Sequence, residues 1–165
     1  MRRMKTKSFS DMQCSIARTL DLVGSWWSLL IIRDAMMGAR RFKHFQTSLG
    51  IAKNTLTTRL NQLVEGGILE RVTAADGSAY DEYQLTAKGR DLAPIIVGLS
   101  QWGDKWAVHP DGPSFEYFDR KTGEDLSRIW PRRANGEAME LRDVGYKPAG
   151  TPTPKPETSE GRTPS

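Results

Sequence analysis

The sequence has little of what disulfide-bonded, secreted or membrane-spanning proteins need. It holds one cysteine, Cys14, among 165 residues, and a lone thiol cannot staple a secreted fold. No stretch reaches the roughly 18 consecutive apolar residues of a membrane span. The basic start, residues 1–11, lacks the apolar run of a secretory signal. We therefore expect a cytoplasmic protein with no membrane partner.

Residues that carry catalysis or hold metals are also sparse. The two histidines, His44 and His109, have no carboxylate, serine or cysteine partner at an informative spacing. The Gly66-Gly67 pair is typical of a helix end, and no phosphate-cradling glycine loop occurs. The sequence thus predicts no enzyme, no cofactor and no metal site.

Charge is unevenly distributed. The chain has 24 Lys+Arg and 20 Asp+Glu. Residues 1–106 hold 15 basic and 10 acidic residues, a balance of +5, which leaves 9 and 10, a balance of −1, for residues 107–165. A basic N-terminal part favours a polyanionic partner.

Apolar periodicity predicts a mainly α-helical domain with a small β-hairpin. We expect helices over residues 15–23, 26–37, 41–49 and 53–65, then strands at 68–73 and 80–85. The Asp76-Gly77 pair between the strands is a hairpin signal. A last long helix should open at Thr86 as N-cap and run to Trp106, with a kink at Pro94.

Composition divides the chain into three parts. In residues 1–106, a helix, the tight turn SLGIAKN, a second helix and the hairpin together predict a winged helix-turn-helix domain. Residues 107–146, with three turn pairs between short apolar segments, should form a small β-rich appendage. Its expected packing residues are aromatic or aliphatic: Phe115, Tyr117, Phe118, Trp130 and Leu141. Residues 147–165 are rich in Pro, Thr and Ser, which predicts a disordered tail.

The fourth helix has an outer face suited to DNA. Leu56, Leu60 and Leu63 share one side, whereas Asn and Thr residues occupy the other and no acid appears before Glu65. Amide, hydroxyl and cationic side chains are those that contact base edges in the major groove, and a face without carboxylates suits a polyanion. Ile51 should fill the core between the third and fourth helices.

A solvated helix face is the alternative interpretation. Such faces usually carry Glu and Lys at i, i+4 spacing rather than Thr and Asn, which are poor helix formers. A winged helix that only binds other proteins also remains open, and it predicts no salt-dependent DNA binding.

Several stretches together resemble the HxlR family of bacterial winged-helix transcriptional regulators. They are CSIARTLDLVGSWWSLLIIRD, GARRFKHFQTSLGIAKNTLTTRLNQLVEGGILER, YQLTAKGRDLAPII and QWGDKW, between Cys14 and Trp106. The resemblance implies a homodimer joined through the first and the last long helix, which would bind an inverted-repeat operator in double-stranded DNA. The expected dimer contacts are apolar side chains of these two helices: Ile16, Leu20, Leu92, Ile95, Ile96, Leu99, Trp102 and Trp106.

The expected DNA contacts come from three places. Basic residues start the third helix, polar ones face outward from the fourth, and one arginine lies at the base of the wing. Arg59 is included because it occupies the family's arginine position. The full set is Arg40, Arg41, Lys43, Lys53, Asn54, Thr55, Thr58, Arg59, Gln62 and Arg71.

Where the family often has Ser at the start of the fourth helix, this chain has Ala52, which removes a capping hydroxyl.

Two expectations concern effectors. Cys14 lies where some members of the family sense oxidants. A helix N-terminus stabilises a thiolate and Arg18 would add to this, although a small buried core residue is the alternative. The other is a small molecule bound between subunits beside Trp26, Trp27, Trp102 and Trp106, with core packing as the alternative.

Overall fold

The computed structural model describes residues 8–74, 76–77, 80–113 and 115–154. They form two compact units, one ending at Arg128 and one beginning at Ile129. In chain order the first unit contains α1 (Ser15–Val23), α2 (Trp26–Met36), α3 (Phe42–Leu49), α4 (Lys53–Glu65), β1 (Leu69–Thr73), β2 (Asp81–Leu85), α5 (Ala87–Arg90) and α6 (Ala93–Trp106). The mainly α-helical fold with one hairpin is confirmed, and α1 and α4 have the predicted bounds.

Helix α4 is held by leucines at helical spacing. Leu56, Leu60 and Leu63 are each 0% exposed and share one core cluster with Ile32 and Phe45. Burying one such side chain contributes about 1.5–3 kcal/mol. The opposite side of α4 is therefore fixed toward solvent.

A tight turn sets the angle between α3 and α4. Gly50 ends α3 with φ 59° and ψ 23°, the left-handed region that glycine enters without strain. Ile51 follows at 4% exposure within the core, as predicted. Ala52 is the N-cap of α4 and offers no side-chain hydrogen bond, so its side chain leaves the first N–H groups of the helix uncapped.

The hairpin follows α4 as an antiparallel pair. Leu69 lies opposite Leu85 and Thr73 opposite Asp81, and Gly77 takes φ +73° in the connection. Thr86 caps the next helix by accepting a 3.1 Å hydrogen bond from the Gly89 N–H. Its hydroxyl also donates to the Gly67 carbonyl at 2.7 Å, which ties the end of the hairpin to the end of α4.

The prediction of one long, kinked helix from Thr86 is wrong. The segment forms two helices, with α5 ending at Arg90 and α6 beginning at Ala93. Pro94 lies in the first turn of α6, where its missing N–H costs nothing. The proline therefore starts a helix instead of bending one.

The appendage has less β-structure than its turn pairs predict. Its described residues contain two isolated antiparallel bridges, Phe118 with Asp125 and Arg132 with Ala138, and one 3₁₀ helix, Leu141–Asp143. Of the expected packing residues, four are exposed and only Tyr117 is half-buried. Short apolar segments with little burial do not extend a ladder beyond the turns themselves. The three-part division proposed from composition stays a prediction, and residues 155–165 of the tail lie outside the described residues.

Within the described residues, no helix is both long and apolar enough to cross a membrane.

Candidate nucleic-acid interface

The outer face of α4 presents polar side chains to solvent. Lys53, Asn54, Thr58 and Gln62 are exposed and Thr55 is half-buried, while the first turn contains no acid. The Thr58 hydroxyl donates to the Asn54 carbonyl at 2.9 Å, so its donor is satisfied within the helix. The hydroxyl oxygen can still accept a hydrogen bond, and the methyl remains available for apolar contact.

Arg59 lies on the flank of this face. It is half-buried, its Nη1 donates to Oε1 of Gln62 at 2.8 Å, and its Nε is enclosed without a hydrogen-bond partner. The same side of α4 borders a groove that Ser25, Trp26 and Ser28 also line. Arg59 thus extends from the outer face of α4 toward the start of α2.

Arg71 connects the wing to α4. Its Nη2 donates to Oδ1 of Asn61, and its guanidinium lies 5.6 Å from the ring centroid of Tyr83. The sequence indicated Arg71 as a cation at the wing base, and Asn61 belongs to α4. It held no signal that the two side chains meet, because they belong to different elements.

The start of α3 lies beside the wing. The Tyr83 N–H donates to the Arg40 carbonyl at 2.7 Å, which fixes β2 against the residues before α3. Arg40 and Lys43 are exposed, as is the neighbouring His44. A groove of about 630 Å³ between α3 and the wing brings together three of the predicted DNA contacts, Arg41, Lys43 and Arg71.

Arg41 differs from its neighbours because two acids of the wing contact it. Its Nη2 lies 2.6 Å from Oδ2 of Asp76 and 3.3 Å from Oε1 of Glu82. The hydrogen bond to Asp76 is the main reason that the pKa of Arg41 is raised above its usual value. The sequence places these acids in the wing but holds no signal that they contact Arg41, because the residues belong to different elements.

Exposed apolar rows occur on α1 and α6, as the dimer prediction requires. Two predicted members, Leu92 and Ile96, are buried at 8% and 6% within the chain's own core and so cannot form the outer row. Leu92, the N-cap of α6, and Ile96 lie on the side that packs into the core, whereas the exposed apolar residues lie on another side of the helix. The exposed members are Ile16, Leu20, Ile95, Leu99, Trp102 and Trp106.

The sensing candidate Cys14 is an exposed free thiol at the N-cap of α1, not a buried core residue. Arg18 is directed elsewhere, since its guanidinium donates to the Met12 carbonyl at 2.6 Å and to the Ser15 hydroxyl at 3.2 Å.

Trp26 and Trp27 pack edge to face with their centroids 6.2 Å apart. Across the described ranges, no group of three His, Cys, Asp or Glu side chains could hold a metal ion.

Together these elements define a class of protein. A helix, a tight turn and a second helix with a polar outer face, followed by a hairpin beside that face, form a winged helix-turn-helix. DNA binding is a common function of this class.

Comparison with known proteins agrees with this architecture. The profile of HxlR-like helix-turn-helix proteins matches residues 22–111, more than half of the chain. An uncharacterized HTH-type transcriptional regulator of Mycobacterium tuberculosis is 40% identical over 134 residues, or 81% of this chain and 85% of that relative. The chain therefore belongs to the HxlR family of helix-turn-helix transcriptional regulators.

Two solved structures extend the comparison. PA1607, described as a candidate transcription factor, is similar with a TM-score of 0.80 at 40% identity, over 86% of this chain and 99% of that chain. The redox regulator HypR in its oxidized form is similar with a TM-score of 0.52 at 31% identity, over 56% of this chain and 96% of that chain. The likeness to PA1607 thus reaches well beyond the residues matched by the family profile.

Proposed function

We propose that the protein is a sequence-specific transcriptional regulator that acts in the cytoplasm as a homodimer on an inverted-repeat operator. The observation that carries the proposal is the outer face of α4. It is exposed, rich in amide and hydroxyl groups, and free of acid through its first turn. An α-helix with such a face fits the major groove of double-stranded DNA.

Different residues serve positioning and reading. Asn54 and Gln62 carry the amide groups that pair with adenine, and Thr58 offers a methyl group to thymine. Arg40 and Lys43, exposed at the start of α3, are placed to contact phosphates and so set the orientation of α4 on the duplex.

The dimer rests on the exposed apolar rows. Leu99, Trp102 and Trp106 are 51%, 58% and 63% exposed on one side of α6, and Ile16 on α1 is 72% exposed. Large apolar side chains in a row favour burial against a second copy. Two-fold symmetry would place two α4 helices about one helical turn of DNA, roughly 34–36 Å, apart.

Fluorescence anisotropy with random and genomic duplex DNA at about 50 and 200 mM salt tests DNA binding. We expect affinity to fall steeply with salt, and Lys53→Ala to reduce the slope of log K against log salt by about one for each subunit. Lys121→Ala is the matched control, because Lys121 is an exposed lysine of the appendage and its loss changes net charge equally. Equal effects of the two variants would remove α4 from the interface.

The rival function, a protein-interaction module, predicts no salt-dependent affinity for any duplex. Flat binding curves at both salt concentrations would therefore favour that alternative and reject our proposal.

Sedimentation equilibrium tests the dimer. Leu99→Asp should shift the protein to the monomer, because a carboxylate on the α6 row would be desolvated in the interface. Leu141→Asp is the control, since Leu141 is an exposed leucine of the second unit, at 76%. A wild-type protein that sediments as a monomer at micromolar concentration would contradict the dimer.

The effector belongs to the same proposal. HypR is a redox regulator with solved oxidized and reduced forms, and Cys14 here is exposed at the start of the helix that carries Ile16. A modified thiol at this place would alter the α1 surface and with it the spacing of the two α4 helices. A small organic effector is the second candidate, and DNA release in the presence of oxidant or of compound distinguishes the two.

A further inference from the structure

Two acidic side chains of the wing contact Arg41, a basic residue that we would otherwise expect to contact DNA. Arg41 is the N-cap of α3 and lies 2.6 Å from Asp76 of the hairpin turn and 3.3 Å from Glu82 of β2. The three side chains are 27%, 60% and 17% exposed, respectively. One cation is thus shared between two carboxylates, so their local charge sums to −1 rather than +1.

The neighbouring cations have no such acid partners. Among the described residues, Arg40, Lys43 and Arg71 take part in no ion pair, although Arg71 bonds to Asn61. Arg41, Lys43 and Arg71 line one groove together with Asp81. Of these three cations, only Arg41 forms ion pairs with acidic side chains in the described structure. Asp76 and Glu82 therefore neutralise one of the three cations that line this groove, namely Arg41.

We propose that Asp76, supported by Glu82, masks Arg41 from DNA phosphates and thereby limits the affinity of the protein for DNA of any sequence. This inference rests on the DNA binding proposed above. Phosphate contacts supply nearly all of non-specific affinity, so masking one of them lowers that affinity directly. Specificity then depends more on the base contacts of α4, because the specific-to-nonspecific ratio rises as non-specific binding falls.

The two acids have different parts in this contact. Asp76 is the more exposed, and an exposed ion pair is weak enough for a phosphate to displace. Glu82 is more buried and lies on a paired strand, so it remains beside Arg41 when Asp76 leaves. DNA that is fully docked on α4 can thus reach Arg41, at the cost of one weak ion pair.

Asp76→Asn tests the proposal in the full-length protein. Asparagine has nearly the same shape as aspartate and favours the same turns, and Gly77 keeps its positive φ, so we expect the hairpin to be retained. We expect affinity for random duplex DNA to rise about three- to tenfold at low salt, with the salt slope steeper by about one for each subunit. Asp81→Asn is the matched control, because Asp81 is an exposed aspartate of the same hairpin that forms no ion pair in the described structure.

The double variant distinguishes masking of Arg41 from a general electrostatic repulsion between Asp76 and DNA. In an Arg41→Gln background, Asp76→Asn should change affinity no more than Asp81→Asn does, because no cation remains to be unmasked. An equal gain with and without Arg41, or no gain in either background, would overturn the masking. A wild-type protein without salt-dependent DNA binding would instead overturn the proposed function and this inference together.

Discussion

Replacing Gly89 with alanine tests how the wing is attached to the helical core. Gly89 is buried in α5, and a Cβ atom there would lie 2.2 Å from the Ile68 carbonyl oxygen and 2.9 Å from Cδ2 of Leu85. Ordinary contact begins near 3.4 Å. The first atom belongs to the backbone, so α5 and the residues before β1 must separate by roughly 1 Å to admit the methyl group.

The expected cost follows from the bonds that this separation strains. The Ile68 carbonyl accepts the Thr86 N–H at 3.1 Å, and the Thr86 hydroxyl accepts the Gly89 N–H at 3.1 Å. Overpacking costs about 1–3 kcal/mol and each weakened hydrogen bond about 1 kcal/mol. The free energy of unfolding should therefore fall by about 2–5 kcal/mol, which lowers Tm by roughly 5–15 °C for a chain of this size.

Thermal and urea denaturation followed by circular dichroism measures this loss. Gly145→Ala serves as the control, because no atom lies within 4 Å of the added Cβ and its φ is not positive. We expect that control to change stability by less than about 1 kcal/mol. A Gly89→Ala protein that melts together with the wild type would refute the reasoning, since it would mean that α5 moves without cost.

Three further predictions concern the core, α4 and the thiol. Leu60→Ala should lower the free energy of unfolding by about 2–5 kcal/mol because Leu60 is fully buried, and a loss under about 1 kcal/mol in urea titration would contradict the packing. Arg59→Ala should abolish tight operator binding in anisotropy while sedimentation still shows the dimer, and unchanged affinity would argue against a DNA contact. Cys14→Ser should keep the protein on its operator under peroxide or quinone, whereas release as in the wild type would exclude the thiol as sensor.

Local patterns predicted the helices well because the information lies within each helix. The three leucines at 56, 60 and 63 mark the buried side of α4, and Gly66 follows its last residue as the helix stop. Thr86 was identified as an N-cap, and its hydroxyl does accept the Gly89 N–H. These features depend on residues within one or two turns of each other, which a periodic pattern can resolve.

The prediction of one long helix failed because a proline has different effects at different positions in a helix. A proline inside a helix bends it, whereas a proline in the first turn can start one. The apolar stripe passes through Pro94 without a break, so the pattern did not distinguish the two. The appendage contains isolated bridges and no longer strands for a different reason: turn pairs indicate reversals of the chain, but strands also need a buried face, and the segments there stay largely exposed.

The sequence by itself determined the class of protein: its leucine spacing, its glycine stops and the acid-free side of α4 each follow from neighbours along the chain. Only the tertiary structure decided which cations remain available to DNA and which apolar residues remain available to a partner. Arg41 and Asp76 are 35 residues apart, and Leu92 and Ile96 turn into the core while Leu99 does not. These outcomes depend on how separate elements pack against one another, and the periodic patterns of the sequence carry no information about that packing.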